Sequence, residues 1–250
     1  MGEAAGLSVW CEDEAGPYQT KPYPGGSWQP DGHPVHQPHE YSRDGTAKQL
    51  TLLHPASGRV CVKGVQHTTN AIVHAWLKEQ LLAILADLPP VVPRPAYWER
   101  VIWETWREGL QRVVTLPRQL PPLRLLLIMD NLVGHKNPEW LLWCFRQGIL
   151  PLYTPLGGSW LNMAESIQHV FKQRALDGQY PTSPQQIIQS LEAVAAHWNR
   201  HPTPFVWAGK RKARRDRAAL RRHRLAASGA ATARPSRRRF LSRCPWQPGH

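Results

Sequence analysis

Three carboxylates in this chain could act together. Asp130 closes an apolar run, Leu123–Met129 (LRLLLIM), of the kind a strand buried on both faces shows. A carboxylate at the mouth of such a strand is costly to desolvate unless something positive meets it. Asp13 lies in the acidic triplet Glu12–Asp13–Glu14, directly after a second strand-like run, Leu7–Cys11 (LSVWC). Glu165 lies in GGSWLNMAESIQHVFK, where helical periodicity begins, and 34 residues separate it from Asp130. If the two aspartates end neighbouring parallel strands, their backbones lie about 4.8 Å apart. Without a cation between them they repel, and one takes up a proton. Mg²⁺ favours carboxylate, water and phosphate oxygens. Two such ions about 3.5–4 Å apart can hold both the attacking and the leaving oxygen of a phosphodiester.

Each residue also has a plainer reading. Asp130 before Asn131 can simply open a turn, although the apolar strand before it favours a functional role. Asp13 fits an exposed acidic turn equally well, and Glu12 and Glu14 stay open as alternatives for the first ligand. Asn162-x-x-Glu165 has capping-box spacing. The helix's apolar stripe runs through Trp160, Ala164, Ile167 and Phe171, so periodicity alone makes Glu165 a surface glutamate. His135, five residues after Asp130, either touches phosphate, orients a ligand, or is a polar loop residue. His33, His36 and His39 are spaced by three, but a Pro-broken loop does not fix ligand geometry, so they are not read as a metal site. Trp28 and Trp160 flank Gly-rich segments; stacking on a base is weighed there against packing, and packing is preferred.

Charge points to the partner. The chain carries a net charge of +13 over 250 residues. From Gly209 onward lie 14 of the 31 lysines and arginines and one of the 18 acidic residues, leaving 17 of each before it. A neutral body with a basic tail is an electrostatic tether for a polyanion. Lys210, Arg211, Lys212, Arg214 and Arg215 are the expected nucleic-acid contacts. Apolar residues make up 42% of the chain, enough for one sizeable core. No run approaches the roughly 18 apolar residues of a membrane span, and the N-terminus lacks the pattern of a secretory signal. Cys11, Cys61, Cys144 and Cys244 lie far apart without a CxxC pair, which reads as reduced thiols in a cytoplasmic, nucleoid-associated protein.

The elements that must position the carboxylates follow from periodicity and turn chemistry. Strands are expected at Leu7–Cys11, Lys48–His54, Arg59–Lys63, Leu123–Met129 and Ile149–Tyr153. Residues Ala15–Gly45 read as a long excursion with little regular structure. Helices are expected at Thr69–Leu85, Ala96–Val114, Trp140–Arg146, Asn162–Leu176 and Pro184–Asn199. Asn137–Pro138 supplies an N-cap and a first-turn proline, and Gly148 a stop. Strand, short helix, strand across 123–153 is a βαβ unit with parallel pairing. Residues 89–122 read as a Trp- and Pro-rich insertion.

IMDNLVGHK (Ile128–Lys136), ILPLYTPLGGSWLNMAESIQHVFK (Ile149–Lys172) and CEDEAG (Cys11–Gly16) resemble the catalytic core of bacterial insertion-sequence transposases of the mariner-like superfamily, over roughly Leu7–Trp207. The resemblance implies an α/β, RNase H-like fold: a mixed five-stranded central sheet flanked by helices. It implies Asp13, Asp130 and Glu165 as catalytic metal ligands for Mg²⁺ or Mn²⁺, with two ions expected. The implied partners are DNA, at terminal inverted repeats and at the target, and a second copy of the chain, because two ends must be joined. It implies strand cleavage followed by attack of the freed 3′-OH on target DNA. The expected division is a catalytic domain at 1–207 and a basic, disordered tail at 208–250. The family usually carries helix-turn-helix modules before its first catalytic strand; here that strand begins within ten residues of Met1, so such a module is expected to be missing. The competing reading is an inactive remnant that binds DNA nonspecifically through its tail. A two-carboxylate glycosidase is a distant third.

Overall fold

The computed structural model describes residues 6–25, 31–33, 36, 38–92, 94–108, 114–155, 158 and 161–205. Five strands form one sheet: β1 (Ser8–Gln19), β2 (Thr46–Leu53), β3 (Val60–Val65), β4 (Leu125–Met129) and β5 (Ile149–Tyr153). Their order is β3-β2-β1-β4-β5. The pairs β3–β2 and β2–β1 are antiparallel, whereas β1–β4 and β4–β5 are parallel. This is the expected mixed five-stranded sheet, and it makes β1 and β4 the parallel neighbours that the carboxylate argument needs.

The helices are α1 (Asn70–Asp87), α2 (Ala96–Arg107), α3 (Pro138–Arg146), α4 (Ala164–Leu176) and α5 (Pro184–Trp198). Strand β4 shows why its sequence is a continuous apolar run. Leu125, Leu127 and Met129 pack with Trp76, Leu77 and Leu81 of α1 and with Trp140 and Cys144 of α3. On the other face Leu126 packs with Trp103 of α2, and Ile128 lies against Ala164, Ile167 and Phe171 of α4. With both faces covered, alternation disappears from the sequence. Each fully buried leucine contributes about 1.5–3 kcal/mol.

The punctuation residues act as their chemistry requires. The Asn137 side chain accepts the Glu139 amide at 2.8 Å, with Pro138 beginning α3. Gly148 stops the chain after α3 at φ +75, and a Cβ there would stand 2.4 Å from the Pro122 carbonyl. Within the insertion, Trp103 is fully buried and donates its indole N–H to the Pro121 carbonyl at 2.8 Å. Cys11, Cys61 and Cys144 are free thiols. Among the described residues no helix is long and apolar enough to cross a membrane.

Four expectations need correction. Helix α2 ends at Arg107 rather than running on to Val114. The segment Ala15–Gly45 is not irregular from its start, because β1 continues to Gln19. Strand β2 offers backbone partners along that whole length, ending in the pair Gln19–Thr46. The register slips between Ala15 and Tyr18, which accommodates Gly16 and Pro17, the latter without an N–H to give to the ladder. Residues Gly134–Lys136, read as loop, form a 3₁₀ turn. Helix α4 begins at Ala164 rather than Asn162.

Candidate active site

Strand alternation decides where the acidic triplet points. Cys11 packs against α4, so Asp13, two residues on, emerges on the α4 side. Trp10 packs with α1, which sends Glu12 and Glu14 to the opposite side of the sheet. The parallel register pairs Cys11 with Ile128. Two residues beyond each lie Asp13 and Asp130, at the same level of the sheet and just past the end of β4. Helix α4 begins beside them. The Asn162 amide donates to the Glu12 carbonyl at 2.6 Å, and its side-chain oxygen accepts the Ala164 N–H at 3.2 Å. One asparagine thus caps α4 and ties its first turn to β1. In the expected capping box Asn162 and Glu165 satisfy each other; here Asn162 is committed to Glu12 and Ala164, and Glu165, in the first turn, is exposed.

Asp130 and Glu165 each lie within electrostatic reach of Asp13. Asp13 is half-buried, and its carboxyl is pushed up to about 7. Burial is the main cause. The negative charges of Asp130 and Glu165 add to it, while the Glu14 amide, 2.9 Å from Asp13 Oδ1, opposes it. Asp130 goes the other way. Its partial burial would raise it, but His135, the Leu132 amide at 3.0 Å and Lys136 hold it below the ordinary value.

A second acidic group lies behind the first. Glu12 is completely buried, and neither carboxylate oxygen has a hydrogen-bond partner. Its carboxyl is raised to about 8, by burial above all, against the lowering effect of His135. Nε2 of His135 lies 3.6 Å from Glu12 Oε2, and Nδ1 lies 2.9 Å from Asp130 Oδ1. Burial would depress His135, but these two acids raise it to about 9. Glu14 is raised by burial, with Thr68 and Lys48 among the groups that oppose this. Among the described residues, the one group of three or more whose ligand atoms all lie within 4.8 Å of one another is Glu12, Glu14 and His135. It is not the predicted trio.

Burial and pairing of Glu12 and His135 were not foreseen. The available signal was the period-two pattern Trp10, Glu12, Glu14, which puts both glutamates on the face of a core tryptophan. His33, His36 and His39 are exposed. The expected nucleic-acid contacts Lys210, Arg211, Lys212, Arg214 and Arg215 lie outside the described residues, as do Trp28 and Trp160.

The carboxylates suit a divalent cation. Asp13, Asp130 and Glu165 supply hard oxygen donors only, and a positive charge would relieve both the burial of the Asp13 charge and the smaller repulsion from Asp130 and Glu165.

No family model matches the chain, and no curated protein does. Among solved structures it is similar to the Mos1 mariner paired-end complex with Mn, at 13% identity and a TM-score of 0.49, covering 79% of this chain and 49% of that one. It is also similar to the corresponding complex with Mg, at 16% identity and a TM-score of 0.48, covering 79% of this chain and 50% of that one. The catalytic core domain of BIV integrase matches at 12% identity and a TM-score of 0.39, covering 78% of this chain and 85% of that one. The chain spans about half the length of the Mos1 chains it matches.

Proposed function

We propose that this chain is the catalytic domain of a DNA transposase, which cleaves DNA strands and joins them by metal-dependent phosphoryl transfer. The observation that supports this best is that Asp13 and Asp130 follow neighbouring parallel strands at one level and that the charges of Asp130 and of Glu165, in the first turn of α4, both act on Asp13. Sites in open α/β sheets form beyond the carboxyl ends of parallel strands. The order and spacing of the motifs support the same reading.

In this reading Asp13, Asp130 and Glu165 hold Mg²⁺ or Mn²⁺. The bound cation supplies Lewis-acid polarisation of the phosphodiester and a more acidic water. The chain itself supplies position. β1 and β4 fix the two aspartates at one level, and Asn162 fixes the start of α4 relative to β1. Asp130 is kept ionised at neutral pH by its neighbours, so it is ready as an oxygen donor without first losing a proton. The basic tail contributes phosphate contacts, which give affinity without sequence readout. Recognition of particular ends requires base contacts, which the carboxylate site does not make.

The test is nicking of supercoiled plasmid by the full chain with Mn²⁺ or Mg²⁺. Cleavage that needs the metal, stops with EDTA and is lost in Asp130→Asn, while nonspecific DNA binding persists, is the expected result. Binding without cleavage under every metal condition would establish the inactive-remnant reading instead. Loss of binding in Asp130→Asn would overturn the separation between a carboxylate site and a basic tail.

A further inference from the structure

We infer that His135 is a positioning residue, wedged between the buried Glu12 and Asp130 so that it aims the Asp130 carboxylate. The inference rests on the reading of Asp130 as a metal ligand. His135 is 3% exposed, so it has no free path to phosphate, and its two ring nitrogens face two acids instead. The Leu132 amide donates to Oδ1 of Asp130 at 3.0 Å, and Nδ1 of His135 lies 2.9 Å from the same oxygen as an ion-pair contact outside hydrogen-bond alignment. Both contacts fall on Oδ1, which leaves Oδ2 to meet a ligand. On the far side, Nε2 faces Oε2 of Glu12, an acid with no hydrogen-bond partner at either oxygen.

The turn that carries His135 is itself held. The Tyr153 hydroxyl donates to the His135 carbonyl at 2.6 Å, the Lys136 amine donates to the Asn131 carbonyl, and the Asn131 amide donates to the Thr154 carbonyl. Strand β5 thus fixes the turn, the turn fixes the imidazole, and the imidazole fixes Asp130. Groups that orient a metal ligand in this way typically change metal affinity by about 10–100-fold when removed.

The experiment is an Mn²⁺ titration of the metal-free full chain, followed by electron paramagnetic resonance, with a thermal melt of each protein. The proteins are the natural chain, Asp130→Asn, His135→Ala, His135→Asn, His135→Gln and Glu12→Gln. His135→Ala is expected to weaken Mn²⁺ binding by about 10–100-fold. Asparagine can donate from near the Nδ1 position, so His135→Asn should recover most of that loss. Glutamine places its amide nearer Nε2 and should not. A merely structural histidine would lower the melting temperature and leave the Kd of the folded protein unchanged. The inference is overturned if folded His135→Ala binds Mn²⁺ like the natural chain. Should the alanine variant not fold, equal binding by His135→Asn and His135→Gln overturns it. Loss of binding in Glu12→Gln as severe as in Asp130→Asn, without rescue by His135→Asn, would make Glu12, Glu14 and His135 the ligand set and overturn it too. If Asp130→Asn leaves binding intact, the metal-ligand reading of Asp130 itself fails.

Discussion

Asp13 and Glu12 are neighbours in sequence, yet they occupy different chemical environments. Asp13 is half-buried on the α4 side, with Asp130 and the exposed Glu165 within charge range. Glu12 is sealed on the α1 side, with His135 and Glu14 near its oxygens. A one-residue step along β1 separates an acid that solvent, cation and phosphate can approach from one that can only trade charge with an internal partner. The two faces communicate at the end of β4, where Asp130 and His135 are 2.9 Å apart. An acidic triplet in a sequence is thus not one feature. Its members are sorted by the sheet.

The sharpest way to break this comparison is substitution on each face. On the open side, Asp13→Asn, Asp130→Asn and Glu165→Gln should each lower plasmid nicking by about a hundredfold or more, since several kcal/mol of metal-supplied stabilisation is lost. On the sealed side, Glu12→Gln keeps an acceptor facing Nε2 and should cost at least about tenfold less than Asp13→Asn in the same assay. Equal losses on both faces would mean that the first ligand has been misassigned within the triplet.

Stability against pH offers a second test, with the sign fixed by the pKa directions. Glu12 is raised from 4.5 to about 8 and His135 from 6.5 to about 9. Between pH 6.5 and 8 the folded cluster therefore holds more protons than the unfolded chain, so stability falls as pH rises. Asp13, raised from 3.8 to about 7, adds the same trend at lower pH. Asp130, being lowered, contributes the opposite: stability present above its ordinary value of 3.8 and lost on acidification. The metal-free protein should melt several degrees lower at pH 8 than at pH 6.5. Mn²⁺ at pH 8 should raise the melting temperature, and Glu12→Gln should flatten the pH trend. A flat profile for the natural chain would remove the sealed acid from the account.

The smallest effect concerns the link between the two elements. Asn162→Ala removes the bond to the Glu12 carbonyl and the cap on Ala164. It should cost about 1–2 kcal/mol of stability, measurable in urea. Nicking should fall by a larger factor than in a surface control such as Asp87→Ala, because α4 carries Glu165. Equal activity in the two variants would show that the position of α4 does not depend on this asparagine.

Much of the fold was determined by local sequence. Apolar runs gave the strands β4 and β5, the spacing in Ile72–Leu85 gave α1, and Asn137, Pro138 and Gly148 marked the ends of α3, because caps and turns are set by the residues that form them. The order and spacing of Asp13, Asp130 and Glu165 made them candidates, but setting Asp13 and Asp130 at one level needed the parallel β1–β4 pairing. Three matters were decided only by tertiary structure. The continuation of β1 through Gly16 and Pro17 depends on β2 as a distant hydrogen-bonding partner. The fate of the capping-box spacing depends on Glu12, 150 residues away from Asn162 in sequence, which takes the asparagine's amide. The pairing of His135 with Asp130 and Glu12 depends on a 3₁₀ turn held from β5. In each case the deciding contact comes from a part of the chain that no local window contains.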